Sequence, residues 1–340
     1  MNTMTLLGID IGKHSFHLHG QDAKGHQVLR KKTNRGQLLN TLAQLPACTV
    51  VMESCGGAHW LARQIGTLGH EVKLIAPQYV KPFVKGNKND FIDAEAICEA
   101  ASRPAMRFCS IKTAEQQTLS ALHRVRDSLI GHRTVAINQI HGFLLEFGIS
   151  LPIGTAALHR VPTLLDNPQH SVPLRLKGLV MRLYRQIQQL EQEIKDIESD
   201  LKQQLKEDDA GSRLQSIPGI GPITASALLA DIGDVSNYRS ARDFSASLGL
   251  VPKQHSTGGK TVLLGITKRG DKHIRRLLVQ GARAIMQHID GRDDALGPWV
   301  RELLTRRHSN IVACALANKL ARIVWAVLAK GGQYDPHPNA

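Results

Sequence analysis

The chain has 340 residues, too many for a lone small binding module and enough for two cores with connecting helices. Its 43 Lys and Arg against 29 Asp and Glu leave a net charge of +14, a field that attracts polyanions and releases their counterions, so nucleic acid is the leading partner. With only 3 Trp, 4 Tyr and 7 Phe, broad aromatic stacking platforms are excluded, and five cysteines without a CxxC pair argue against a secreted disulfide framework and for a reducing compartment. No apolar run approaches the ~20 residues of a membrane span, and no basic segment followed by an apolar run opens the chain, so a cytoplasmic protein with no membrane partner is expected.

Residues 5–9, 15–19, 27–31, 49–53 and 72–75 are short β-like runs, with a hairpin turn over 20–25. Three strands followed by strand, helix and strand predict a mixed sheet with helices on its faces, an α/β domain of the ribonuclease H type filling 1–150. The pattern becomes helical from 94 to about 148, and the Pro-bearing stretch 152–173 reads as a linker or irregular connection. Leu183, Ile187, Leu190, Ile194, Ile197, Leu201 and Leu205 then recur at steps of three and four, a heptad seam. That seam fits either a coiled coil pairing subunits or an amphipathic helix packed on its own domain. Residues 151–210 are therefore expected to form a linker and coiled-coil helix, and 211–332 a mainly α domain with helices at 224–231, 272–288 and 311–330. A frayed tail, 333–340, passes through Pro336 and Pro338.

Four acids carry the first chemical signal. Leu6-Leu7-Gly8-Ile9-Asp10 places a carboxylate on an apolar strand, where it needs a partner, and Thr49-Val50-Val51-Met52 ends in Glu53 before a small loop. In Lys88-Asn89-Asp90-Phe91-Ile92-Asp93-Ala94, Asp90 and Asp93 are three residues apart and share a helix face. Hard divalent cations prefer carboxylate oxygens, and an acid cluster of this kind suits phosphodiester chemistry. Singly, each acid has a plain reading as a turn cap, a Lys partner or a helix N-terminal residue. Glu95 and Glu99 fall at other angles on the helix and read as solvated or structural. Gly8-Ile9-Asp10-Ile11-Gly12 also fits the first phosphate loop of actin-like ATPases, but neither a second Asp-Gly loop nor a Gly-rich adenosine site follows at suitable spacing.

Three further segments point to DNA. Ile217-Pro218-Gly219-Ile220-Gly221-Pro222 precedes an apolar helix and is similar to a helix-hairpin-helix turn, in which Gly219 and Gly221 let backbone N–H groups approach a phosphate. The loop His255-Ser256-Thr257-Gly258-Gly259-Lys260 offers two hydroxyls, an imidazole and a cation, the parts of a covalent phosphodiester carrier, and equally the composition of a surface turn. Lys268, Arg269, Lys272, Arg275 and Arg276 then crowd the start of a helix as a phosphate-contacting face.

In this order and at these spacings the motifs, together with Leu248-Gly249-Leu250-Val251-Pro252, resemble the DEDD-type transposases of insertion sequence family 110, and within it the 1111 subgroup, over nearly the whole chain. The resemblance implies a RuvC-like N-terminal domain whose acids Asp10, Glu53, Asp90 and Asp93 form an Mg²⁺ or Mn²⁺ site. It also implies a C-terminal transposase domain with a catalytic serine, acting as a site-specific recombinase in the bacterial nucleoid. The implied partners are double-stranded DNA at the element ends and target, a structured noncoding guide RNA, and further subunits in a dimer or tetramer where acids and serine meet. An ungapped count from Gly249-Leu250-Val251-Pro252 places the nucleophile on Thr257. The adjacent Ser256, a less hindered primary hydroxyl, is the expected one and Thr257 the alternate. The competing functions are a hydrolytic RuvC-like Holliday-junction nuclease and a non-enzymatic nucleic-acid-binding protein.

Overall fold

The computed structural model describes residues 3–86, 89–152 and 154–337. Lys88, first residue of the Lys88-Asn89-Asp90 motif, and Pro338 of the tail lie outside the described residues. The chain forms two compact units, one running to Gln117 and including Ile232–Asn237, the other made of Thr118–Asp231 and the chain from Tyr238 onward.

The first unit holds β1 (Met4–Ile11), β2 (Ser15–Asp22), β3 (Gln27–Asn34), α1 (Arg35–Ala43), β4 (Thr49–Glu53) and α2 (Ala58–Thr67). It continues with β5 (Glu71–Ile75), the short α3 (Pro77–Val80), α4 (Asp90–Ala101) and β6 (Phe108–Cys109). These strands make one six-stranded sheet in the order β3-β2-β1-β4-β5-β6. β1, β4 and β5 are parallel, while β2, β3 and β6 join antiparallel. The β2–β3 turn is held by Asp22, whose Oδ1 accepts from the backbone N–H of Lys24 and His26.

Burial on both faces explains why the parallel strands read as nearly continuous apolar runs. Leu7, Ile9, Val50, Met52 and Leu74 pack under α1 and α2 through Leu38, Leu42, Leu61 and Ile65. The alternate residues, Val51 on β4 with Ile75 at the end of β5, meet Ala96, Ile97 and Ala100 of α4 on the other face. At Gly8 the helix lies directly on the strand: a Cβ there would stand 2.4 Å from the Ala94 carbonyl oxygen and 2.8 Å from Cys98 Sγ. Gly8→Ala is therefore expected to destabilise the unit by roughly 1–3 kcal/mol by overpacking. Chemical denaturation should show the loss, and divalent-metal affinity should fall with it because α4 is pushed off the sheet.

The second unit contains α5 (Ala114–Leu145, from Thr118 onward), α6 (Val161–Asp166), α7 (Leu174–Lys206), α8 (Asp209–Gln215), α9 (Pro222–Ile232, to Asp231) and α10 (Ala241–Ser247). A hairpin of β7 (Pro252–Gln254) and β8 (Leu263–Ile266) follows, then α11 (Lys272–Gln287), α12 (Leu296–Arg306) and α13 (Ser309–Lys330). The mixed α/β sheet followed by a mostly helical region has the order of parts expected from the sequence. The heptad seam on α7 is buried inside the chain, with Ile187, Leu190, Ile194, Leu201 and Leu205 all shielded. Arg126 pairs with Glu198 and Arg133 with Glu191, so α5 and α7 run antiparallel and the seam is covered within the subunit. The stretch expected as a linker or irregular connection consists of short turns that pack: Leu158, Val161, Leu165 and Val172 close over Ala136, Ile140, Leu144 and Val180. Its prolines start and stop short turns without keeping the chain from burying its apolar residues.

The expectation that no apolar run approaches a membrane span is corrected by α13, 22 residues that are long and apolar enough by length and composition to cross one. Val312, Ala313, Leu316, Ala317, Leu320 and Val324 are buried on one face of it. α8, α10, α11 and α12 pack around this helix, which makes it the core of the unit.

Candidate active site

Two strand ends and one helix start gather the acids. Ile9 on β1 pairs with Met52 on β4 in parallel register, so Asp10 and Glu53 stand side by side one step further on. Both continue the face that Gly8 and Val51 present to α4, not the face occupied by Ile9 and Met52. Asn89 caps α4 by accepting from the Phe91 N–H, and the first turn that follows carries Asp90 and Asp93. A helix N-terminus favours acids, and here it also delivers them to the strand-borne pair.

The electrostatics record the crowding. Burial raises the pKa of Glu53, and the charges of Asp10 and Asp93 raise it further. The Cys55 thiol is pushed up by burial and by the charges of Glu53 and Asp10. Carboxylates held so that they repel one another match a hard divalent cation in donor chemistry and in charge, so these residues fit such an ion. Glu99 faces elsewhere, accepting from Lys85 at 3.0 Å and Arg103 at 2.9 Å, as a structural acid.

One member of the cluster was not foreseen. His17 on β2 lies opposite Asp10 in the antiparallel register, is 5% exposed, and places Nδ1 3.4 Å from an Asp90 carboxylate oxygen. One ligand atom each from Asp10, His17 and Asp90 lie within 4.8 Å of one another. The ring meets Phe91 edge-on with centroids 4.7 Å apart, and the Arg30 guanidinium covers the same Phe91 at 4.3 Å. Counting outward from the Gly12–Ser15 turn was the signal that could have found it.

In the second unit Ser256 and Thr257 sit at the end of the β7–β8 hairpin, and both are exposed. The Lys260 N–H donates to the Thr257 carbonyl at 3.0 Å across Gly258 and Gly259, whose φ values are +54° and +78°. Positive φ at both central residues is the type I′ turn that matches strand twist, so the Gly-Gly pair is required by the hairpin. Ser256 Oγ accepts from Gln254 Nε2 at 2.9 Å, and the exposed Lys260 follows the turn. Gly219, with φ +75°, is spent on packing: a Cβ there would lie 2.7 Å from the Gly281 carbonyl of α11, whereas Gly221 opens onto free space.

The basic face divides into two groups. Lys268, Arg269 and Lys272 are exposed. Arg275 instead donates through Nη1 to the carbonyls of Leu248 at 2.8 Å and Asp271 at 3.3 Å, and Arg276 pairs with Asp127. Arg275 and Arg276, both expected as phosphate contacts, thus have structural partners. Charge reversal at Lys268, Arg269 and Lys272 should weaken DNA binding and flatten its salt dependence by about one log unit per lost phosphate contact, read by fluorescence anisotropy. Arg275→Ala should instead lower stability, by about 1 kcal/mol, because it leaves the part-buried Leu248 carbonyl without its donor.

A family model described as Transposase, of the DEDD type of IS110, matches residues 7–149, and one described as Transposase IS116/IS110/IS902 family matches residues 211–296. The chain is 56% identical over 331 residues to a transposase for insertion sequence element IS1328 from Yersinia enterocolitica, covering 97% of this chain and 98% of that one. It is 45% identical to a probable family 20 transposase from Pseudomonas aeruginosa, covering 98% and 99% of the two chains. With a transposase for insertion sequence element IS1111A from Coxiella burnetii it shares 42% identity, over 98% and 92%.

Proposed function

Because the chain belongs to the IS116/IS110/IS902 family of DEDD transposases, and so is a DNA transposase that moves an insertion sequence, we propose that it exchanges DNA strands with two chemical groups, the acid cluster and a hydroxyl on the hairpin. The observation that carries this reading is the convergence of Asp10 and Glu53 with the first turn of α4. DEDD transposases use a divalent metal, and in this chain Asp10, Glu53, Asp90 and Asp93 would hold it, as Mg²⁺ or Mn²⁺. When bound, the ion supplies positive charge against the non-bridging oxygens of the reacting phosphate. His17 keeps Asp90 turned toward Asp10.

The Ser256 hydroxyl attacks a DNA phosphorus. An Oγ–P bond forms as one P–O bond of the strand breaks, and the hydroxyl proton ends on the departing strand oxygen, so the phosphodiester linkage is conserved for rejoining. Thr257 is the alternate carrier. Gly221 at the start of α9 and the exposed Lys260, Lys268, Arg269 and Lys272 hold the backbone of element-end and target DNA. The family resemblance supports a structured noncoding guide RNA that pairs with both DNAs, and a charge of +14 suits two polyanions. We further propose a dimer or tetramer in which the acids of one subunit serve the hydroxyl of another, working in the bacterial cytoplasm at the nucleoid.

The test supplies element-end and target duplexes, the guide RNA and Mg²⁺, and reads the products on a denaturing gel. Joined strands are expected. Cleaved but unjoined DNA would replace this reading with a hydrolytic junction nuclease, and bound but intact DNA with a non-enzymatic binder.

A further inference from the structure

Beneath the β7–β8 hairpin lies a cleft of about 1110 Å³, walled by β7, β8 and α13 with Trp299 of α12 at one side. Its location follows from α13 carrying apolar residues outside its buried stripe. One stripe is buried in the core, and a second, including Ile311, Cys314, Ala315 and Ile323, forms the floor of the cleft. Leu250 and Ile266 complete that floor, and Ile311 is 55% exposed. An apolar surface of this extent left open is a binding surface by default.

Its charge selects the ligand. Lys253, Lys268, Lys319 and Arg322 line the cleft, and among the described residues no carboxylate does. Lys319 and Arg322 are one helical turn apart on α13, facing the same space. Burial and the nearby Arg322 charge both work against the Lys319 ammonium, with Asp294 opposing them, and the ammonium rests on the Trp299 ring 4.6 Å from its centroid. Lys268 has φ +57°, the only positive value at a non-glycine residue described, and its N–H is tied to the Gly249 carbonyl at 3.1 Å. Backbone strain that a loop holds in place while aiming a cation into a cleft is characteristic of a ligand site.

We propose that this cleft binds an unpaired polynucleotide strand, its phosphates on Lys268, Lys319 and Arg322 and its bases on the apolar floor. A duplex offers a protein surface phosphates and sugars and hides its base faces, so it satisfies the cations but not the floor. An unpaired strand satisfies both. The inference rests on the reading of the chain as an enzyme that rearranges DNA strands, since unpaired segments arise when strands leave their partners.

Cys314 in the cleft floor permits a test on the unaltered full-length protein. Its alkylation by N-ethylmaleimide is followed by peptide mass spectrometry with a 12-nucleotide single-stranded DNA, the same sequence in RNA, or the DNA duplex. Saturating single strand should slow the reaction at least about 5-fold and duplex less than about 2-fold, while Lys319→Ala/Arg322→Ala should weaken single-strand affinity about 10-fold and lower the salt slope by about 1.4. Stronger protection by DNA or by RNA identifies which strand is the natural occupant, and either supports the site. Unchanged alkylation at saturation overturns it, as does a half-protecting oligonucleotide concentration that is the same in the double variant as in the parent. Alkylation that slows with protein concentration alone, without oligonucleotide, overturns it in favour of an interface between protein copies. Protection without any metal-dependent strand joining leaves the cleft assignment standing and removes the recombinase reading.

Discussion

Glu53→Gln is expected to abolish metal-dependent strand joining, by about 10³-fold or more, while making the metal-free protein more stable. The loss follows from removing one of the carboxylates that would hold the ion next to Asp10. The gain follows from what Glu53 experiences without it: burial and the charges of Asp10 and Asp93 hold its pKa above the ordinary value. A carboxyl whose folded-state pKa is raised stabilises the fold while protonated, below the pKa of the unfolded chain, and that contribution disappears as pH rises through the folded value. At neutral pH the charged side chain therefore opposes folding, and the neutral amide does not. With chelator present, Glu53→Gln should unfold later than the parent at pH 7 by the order of 1 kcal/mol, discounted for partial solvent access, and the gap should close below about pH 4.5. Added Mn²⁺ should stabilise the parent and leave the variant nearly unmoved. A variant that keeps strand joining, or that gains no stability in chelator, would remove Glu53 from the site.

Ser256→Ala should eliminate a covalent protein–DNA adduct on a nicked suicide substrate and reduce strand exchange by about 10⁴-fold, whereas Thr257→Val should keep both. The hairpin supports that order. Thr257 is the corner residue of the type I′ turn, bridged to Lys260 through its carbonyl, with a secondary hydroxyl crowded by its methyl group. Ser256 precedes the corner, and its less hindered Oγ is already oriented by the Gln254 amide. The adduct, located by peptide mass spectrometry, decides between the two. The reverse pattern transfers the role to Thr257, and undiminished exchange in both variants eliminates the hydroxyl mechanism.

Much of the first unit could be read from the chain because its strands are buried on both faces, so apolar runs mark them, and an acid within or ending such a run stands out. Asp10 and Glu53 are legible for that reason, and Asp90 and Asp93 because a capped helix start carries them. His17 is legible only once the Gly12–Ser15 turn is placed, since its role depends on which residue lies opposite Asp10 across the hairpin, a matter of register rather than composition. The same limit applies to the basic helix: charge density identifies a cationic surface, yet nothing in Lys272-His273-Ile274-Arg275-Arg276 says that Arg275 turns inward to carbonyls or that Asp127 claims Arg276. Periodicity on α7 likewise reveals an apolar face but not its occupant, which proves to be within the subunit. In 152–173 the prolines masked an apolar set that packs well.

The β7–β8 hairpin is built like a cantilever, fixed at one end and free along its length. Its root is clamped: Pro252 pairs with Ile266, the Thr267 N–H donates to Val251 and that of Lys268 to Gly249, and Arg275 bolts the neighbouring Leu248 carbonyl to α11. Beyond the root the arm is exposed on both strands. Ser256 lies four residues past Pro252, about 13 Å out at strand rise. A pivot of about 10° at the root would sweep the hydroxyl through about 2 Å, close to the difference between a hydrogen-bonded contact and bond formation at phosphorus. On the proposed serine chemistry, stiffening the root without touching the arm would alter how far the hydroxyl can search for a phosphate while leaving its chemistry unchanged.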